Sequence, residues 1–363
     1  VDVSVGGELV ASLDRSGEVR VWSTATDHGA PLHVLRGTPV SGGIGFDPTG
    51  RYFSGVDSRS LLLLDVHGPQ GAEPRVLHRR VPVINPPLSY GFDREGRWAV
   101  TDIGDETVEL WPLDTPWVRV FSDVYQTIWS MDFTSDGRWL ATCSGIRPVR
   151  LLPMNPADGG PRDLDPPTGC VSLATHPVRD EIIVGNHRGA VFLYPVSGGS
   201  RQRLPGDFGW RTWVWGVFFD PEGRRAVASP LSRIEGFDGS AQRVLRLWDL
   251  ESGDEHLYPV DHLCDAGLAL SNGLGFAHDG ALYASLGGGG RAVRLTLPTA
   301  QGDKVTAETL VDAGSSALTM SRDGRFLLVH ASEARGRFRL FEQLLLFDLV
   351  QGTSRAITTH GTK

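Results

Sequence analysis

Lysine is almost missing from this chain of 363 residues: Lys304 and Lys363 are the full complement, and every other basic residue is arginine. That usage reads as codon bias in a GC-rich genome of the bacterial kind, not as a binding signal. Basic residues number 35 against 43 acidic ones, a formal net charge of -8. An acidic chain is a poor match for a nucleic-acid backbone or an anionic membrane surface, so neither is expected as a partner. Long apolar runs are missing too. Residues 61–64 and 344–347 are typical of those present, far short of the roughly 20 residues that a spanning helix needs. No sustained helical periodicity occurs. Residues 1–10 lack a basic start and an apolar segment, so no signal peptide is read. The chain enters a strand pattern at Val1, which reads as the C-terminal domain of a longer protein. Cysteine is scarce as well: Cys143, Cys170 and Cys264 cannot all pair with one another, which favours a reducing, cytoplasmic setting.

What is abundant is punctuation. Glycine contributes 45 residues and proline 23, the usage of many short strands joined by tight turns. A strand–turn–strand unit recurs along the chain. It reads Ile44-Gly-Phe-Asp-Pro-Thr-Gly-Arg-Tyr-Phe53, then Tyr90-Gly-Phe-Asp-Arg-Glu-Gly-Arg-Trp98, then Met131-Asp-Phe-Thr-Ser-Asp-Gly-Arg-Trp-Leu140. Further copies begin at Val217, Leu274 and Leu318, and their turn glycines are Gly223, Gly280 and Gly324. Successive glycines from Gly50 to Gly324 lie 46, 41, 86, 57 and 44 residues apart. The interval of 86 holds a degenerate copy, Cys170 to Asp180 followed by the strand Glu181-Ile-Ile-Val-Gly185. An upstream copy at Gly7-Glu-Leu-Val-Ala-Ser12 lies 43 residues before Gly50 and completes eight. The 57-residue interval is attributed to a loop at 231–242 and not to an extra strand pair.

Each copy continues with a third strand, such as Val19-Arg-Val-Trp22, Val108-Glu-Leu-Trp111 or Leu245-Arg-Leu-Trp-Asp249, and a more polar fourth, such as Arg75-Val-Leu-His78. These features resemble the WD40 family: the first hairpin, the Leu-Trp-Asp ending of the third strand and the period near 40 to 45 residues. The resemblance covers essentially the whole chain, with departures. Only Trp248-Asp249 carries the literal dipeptide, and Arg36-Gly37-Thr38 replaces the family's Gly-His. The family's side-chain hydrogen-bond network is therefore incomplete in most copies, and apolar packing between blades must supply the stability. The implied fold is all-β, a single closed β-propeller of four-stranded antiparallel blades, with eight blades and seven as the alternative count. Closure removes sheet edges, and each blade is expected to be contiguous in sequence.

Departures from the repeat mark where function can sit, because loops tolerate change and the scaffold does not. Insertions occur at 231–242 and 333–342. Approach loops to two first strands are aromatic and basic, at Asp123-Val-Tyr-Gln-Thr-Ile-Trp129 and Asp207-Phe-Gly-Trp-Arg-Thr-Trp-Val-Trp215. In propellers of this family both kinds of loop open on one face. Tyr125, Trp129, Trp210, Arg211, Trp213, Trp215 and Arg233 are therefore the candidate partner-binding residues. Trp, Tyr and Arg are the types that anchor protein interfaces. The competing structural role for each tryptophan is packing between blades.

Motifs for chemistry are sparse. Gly287 to Gly290 lacks the lysine and helix of a phosphate loop and reads as a hairpin turn. His256, His262, Cys264 and Asp265 match no zinc spacing. His176 and His187 fall at turns and are expected to be solvated. No nucleophile elbow or carboxylate pair stands out. Catalytic residues, metals and cofactors are therefore all assigned as none. One enzymatic alternative has a motif: Asn272 to Gly280, followed by Leu282-Tyr283, resembles a stretch of gluconolactonase-like propellers. That resemblance implies a central divalent cation bound by Asn272. Ser285 stands where the family's next aspartate is expected, and those enzymes have six blades. The favoured expectation is a non-catalytic interaction or sensor module, binding a protein partner or an upstream domain of the same polypeptide, in a bacterial signalling or effector protein.

Overall fold

The computed structural model describes residues 1–14, 17–25, 30–36, 40, 43–56, 60–69, 71–78, 90–102, 107–113, 119–122, 128–145, 147–164, 169–209, 212–230, 234–235, 241–242, 244–263, 274–286, 291–298, 304–311, 317–321, 323–335 and 338–361. They form eight four-stranded antiparallel sheets, spanning 2–35, 44–78, 90–122, 130–163, 172–203, 214–259, 274–311 and 317–361. We call these blades 1 to 8. Within each, the strands follow chain order from first to fourth, so every blade is contiguous and none borrows a strand from another. The fold class is thus all-β, an eight-bladed β-propeller, as the glycine spacing predicts.

The chain divides into two compact units, Val1–Thr127 with Thr319–Lys363, and Ile128–Leu318. In the first unit each core lies between neighbouring blades. Ala11, Val21, Phe46, Phe53 and Leu64 join blades 1 and 2, and Val56, Leu61 and Trp111 join blades 2 and 3. Val10 and Trp22 pack with Phe326, Leu328 and Leu344, which seats the last blade on the first. In the second unit Leu151, Ile182 and Phe192 join blades 4 and 5. Ile183, Val214 and Trp248 join blades 5 and 6, and Val227, Tyr258 and Phe276 join blades 6 and 7. Blade 5, covered by blade 4 on one face and blade 6 on the other, has no solvent side, so its second strand Glu181–Gly185 is buried at every residue after the first and shows no alternation. Two of the third-strand tryptophans hydrogen-bond through their indoles: Trp111 Nε1–H donates to Thr101 Oγ1 at 3.1 Å, and Trp248 Nε1–H to the Pro205 carbonyl at 3.0 Å.

The first hairpin of each blade turns on one buried anchor: Ser4, Asp47, Asp93, Thr134, His176, Asp220, Ala277 and Ser321 are all at most 4% exposed. Three residues on, the turn glycine of seven blades has φ between 64° (Gly137) and 76° (Gly280), the left-handed region that glycine enters without strain. At every blade but the seventh, where the anchor is Ala277, the anchor side chain accepts N–H groups across the turn, as Asp93 does from Arg97 at 2.6 Å and Trp98 at 2.7 Å, and Ser321 from Phe326 at 2.8 Å.

Three expectations need correction. His176, read as solvated, is 2% exposed. It is the anchor of the degenerate blade 5, and its imidazole does the work that aspartate does elsewhere. Its Nδ1 accepts the N–H groups of Val178 and Arg179 at 3.0 and 2.8 Å. Its Nε2 lies 2.9 Å from the Gly223 carbonyl of the next blade. The insertion at 231–242 does contain an extra strand pair, Ile234–Glu235 with Ala241–Gln242, because the segment folds back and pairs with itself. The insertion at 333–342 is mostly strand. Blade 8's second and third strands run Phe326–Arg335 and Phe338–Asp348, paired along most of their length.

Candidate functional site

The loops leading into the first strands of blades 4 and 6 bring three indoles together. Trp129 stacks on Trp213 with ring centroids 5.2 Å apart and planes at 26°. Trp213 stacks on Trp215 at 6.3 Å and 20°, and Trp129 lies tilted against Trp215 at 5.9 Å. Their exposures are 37%, 37% and 40%, whereas Trp22, Trp111, Trp139 and Trp248 are at most 8% exposed. Among the described large hydrophobic side chains, these three are the exposed aromatics. Of the seven candidate residues, the structure therefore gathers Trp129, Trp213 and Trp215. Tyr125, Trp210, Arg211 and Arg233 lie outside the described residues.

Local sequence explains the exposure. Val214 is fully buried between Trp213 and Trp215, so strand alternation turns both indoles to the opposite side. The pairing of Val214–Phe219 with the second strand slips between Val214 and Gly216, a bulge whose extra residue is Trp215. A bulge re-aims the side chain it carries. Trp129 is fixed by its backbone, whose N–H donates to the Cys143 carbonyl at 2.7 Å. Val171 occupies the equivalent position in the intervening blade and is 4% exposed.

Beneath the indoles the backbone is packed close. Gly145 has φ of 70°, and a Cβ there would stand 3.5 Å from Trp129 Cζ2. Gly169 has φ of 72°, and its Cβ would overlap the His187 ring and lie 2.8 Å from the Gly145 carbonyl oxygen. Cys143 and Cys170 form a disulfide with Cα atoms 5.3 Å apart, joining the second strand of blade 4 to the loop that enters blade 5. Three cysteines thus leave room for one pair, and the cysteine count no longer favours a reducing compartment. The repeat offers the missed signal: Cys143 ends one strand, and Cys170 occupies the position before the next first strand, neighbours across any blade boundary of this kind.

The turn 186–190 of blade 5 clasps the tryptophan segment. Val214 N–H donates to the Asn186 carbonyl at 3.0 Å, and Phe208 N–H to the Gly189 carbonyl at 2.9 Å. His187, expected to be solvated, is half-buried. Burial, and then the neighbouring Arg188 charge, holds its imidazole below the ordinary value of 6.5. Arg188 and, in the corresponding turn of blade 4, Arg147 are exposed. The nearby acid Asp207 is occupied by an ion pair with Arg203.

No group of three or more His, Cys, Asp or Glu side chains is placed to hold a metal among the described residues. His256 instead stacks on Tyr258 at 6.0 Å, and His262 Nε2 lies 2.6 Å from the Val305 carbonyl. Cys264, Asp265, Asn272 and Gly287 to Gly290 lie outside the described residues. The lactonase resemblance implies six blades, and the chain has eight. No described helix is long and apolar enough to cross a membrane.

No family model matches the chain. Over 201 residues it is 26% identical to a WD-repeat protein, transcription initiation factor TFIID subunit 5 of Caenorhabditis elegans. The match covers 55% of this chain and 28% of that protein, so the chain spans under a third of its relative's length. Sheet order, blade count and this distant match together support one description of the chain, a WD40-like β-propeller.

Proposed function

We propose that this chain is a non-catalytic interaction module that binds a protein partner, or an upstream domain of its own polypeptide, through the tryptophan face of blades 4 and 6. The observation that carries this reading is the exposed stack of Trp129, Trp213 and Trp215 on a clamped backbone. Large aromatics left in water on a rigid support lose little entropy on docking and gain most of their burial from the partner. The WD-repeat relative is by name a subunit, which supports a role in assembly. A bacterial signalling or effector context, with this domain at the C-terminal end, belongs to the same proposal. So does a cytoplasmic setting, in which Cys143 and Cys170 would be a thiol pair; thiol labelling of protein taken directly from cells distinguishes the two states.

The test is alanine substitution of Trp129, Trp213 and Trp215, singly, in the full-length protein. Each hot-spot truncation is expected to weaken partner co-purification by about 30-fold, equivalent to ~2 kcal/mol. Circular dichroism and the thermal midpoint should stay close to those of the parent. Unchanged binding by all three folded variants would sink the proposal.

A further inference from the structure

The three indoles and the Cys143–Cys170 disulfide are parts of one bonded path. On the blade 4 side, Trp129 N–H donates to the Cys143 carbonyl at 2.7 Å, and the Trp129 ring lies against Gly145, two residues beyond that cysteine. On the blade 5 side, Cys170 bridges Gly145. Ser172 Oγ, two residues on, donates to the Val214 carbonyl at 2.8 Å. Val214 is the residue that separates Trp213 from Trp215. The S–S bond therefore ties the backbone that sets Trp129 to the backbone that sets the other two indoles. There is little slack at the tie: Gly169, just before Cys170, fits only for want of a Cβ, which would meet the Gly145 carbonyl oxygen at 2.8 Å. Blades 4 and 5 also share a core beyond the cysteines, with Leu151, Leu164, Ile182 and Phe192 buried in it. That packing does not depend on the bond.

We infer that this disulfide is a reversible redox switch of the tryptophan face, closed by oxidation and opened by a dithiol of the thiol–disulfide exchange class. The inference rests on the interaction-module reading and adds how that site is regulated. In the opening step a donor thiolate attacks one sulfur, the Cys143–Cys170 bond breaks, and the released sulfur takes a proton. The donor's second thiol then completes its own disulfide and frees the other cysteine. Two electrons and two protons pass from donor to pair. Two thiols cannot remain at bonding distance. The strand end at 143–145 and the segment at 169–172 therefore part, and Trp129 leaves its stack on Trp213. Trp213 and Trp215 share one segment and stay together. Cys143 and Cys170 are at most 1% exposed, so exchange waits on local opening of this same contact. A partner that bridges the indoles holds the contact shut, and by linkage the oxidised chain binds that partner more tightly. Oxidation thus turns docking on, and a reducing setting keeps the face apart.

Fluorine NMR of the whole chain labelled with fluorotryptophan tests this, under dithiothreitol and again after reoxidation. Single tryptophan-to-phenylalanine variants assign the lines, and alkylation followed by mass analysis reports the state of Cys143 and Cys170. On reduction the lines of Trp129 and Trp213 are expected to move, while those of Trp22 and Trp111, in other blades, hold. Reoxidation should restore the spectrum, and Cys170→Ser should show the reduced spectrum without reductant. A peptide selected from a random library on the oxidised chain, and lost on Trp213→Ala, serves as the docking probe. Its affinity should fall about ten-fold on reduction. Unmoved lines in a chain whose Cys143 and Cys170 are both alkylated would overturn the switch. So would collapse of every line, Trp22 and Trp111 included, which would make the bond a staple of the fold. Equal peptide affinity in both redox states would also overturn it, and leave the docking face intact. Redox-dependent lines with no tryptophan-dependent peptide would instead overturn the interaction reading, and leave the redox coupling of the indoles standing.

Discussion

His176 shows how one residue can stand in for the repeat's aspartate. A neutral imidazole accepts two backbone N–H groups at Nδ1, and its Nε2–H donates to the Gly223 carbonyl of the neighbouring blade. Gly223 has φ of 71°, and any Cβ there would overlap the His176 ring, so the two positions are fitted to each other. Burial is the largest cause holding His176 below the ordinary 6.5. The unfolded chain therefore binds the proton first as the pH falls. Stability is full above about 6.5 and declines below it. Urea midpoints measured from mildly alkaline to mildly acidic buffer should fall, and His176→Asn should flatten that slope. The same variant should cost about 1–3 kcal/mol at neutral pH, where it leaves buried N–H groups poorly paired. A slope equal to the parent's would place the titration elsewhere. The sequence shows a histidine at this turn but not its burial, because the neighbouring blade is what covers it.

At the scale of elements, the disulfide is the link that strand patterns did not reveal. It closes a loop of 27 residues between blades 4 and 5, and restricting such a loop in the unfolded chain is worth about 3.5 kcal/mol. Reduction, or Cys143→Ser, is expected to lower the unfolding free energy by that order in denaturant titrations with and without reductant. Because Trp129 is held through the Cys143 backbone, the same change should shift the emission of the tryptophan face. An unchanged denaturation midpoint under reductant would remove the structural role. The bulge at Trp215 is a second element feature beyond reach of the sequence. Val214-Trp215-Gly216 is compatible with regular alternation, and only the pairing with the second strand inserts the extra residue.

For the whole molecule, stability resides between blades, so a blade cannot be removed without exposing its neighbour. Chain shortened after residue 311 would lose Phe326, Leu328 and Leu344 from the cluster that covers Val10 and Trp22. Each large apolar side chain so uncovered forfeits ~1.5–3 kcal/mol of burial. The shortened chain should aggregate, or unfold well below the parent in a thermal scan; equal stability would show that blade 1 needs no cover. The number of blades was legible because the turn glycine is demanded locally, by a left-handed backbone that no neighbour can relieve. The strand order followed from the same repeat. The candidate aromatics were legible by type and position, since Trp129 and Trp215 fall at equivalent places in their copies. What the sequence could not decide was which tryptophans are solvent-facing and which are core. Packing between blades was the competing role for each candidate tryptophan, and only the neighbour that a blade does or does not place over the ring decides it. The Cys143–Cys170 pair and the buried role of His176 have the same cause. Each depends on residues from adjoining blades, and that proximity exists only once the sheets have packed.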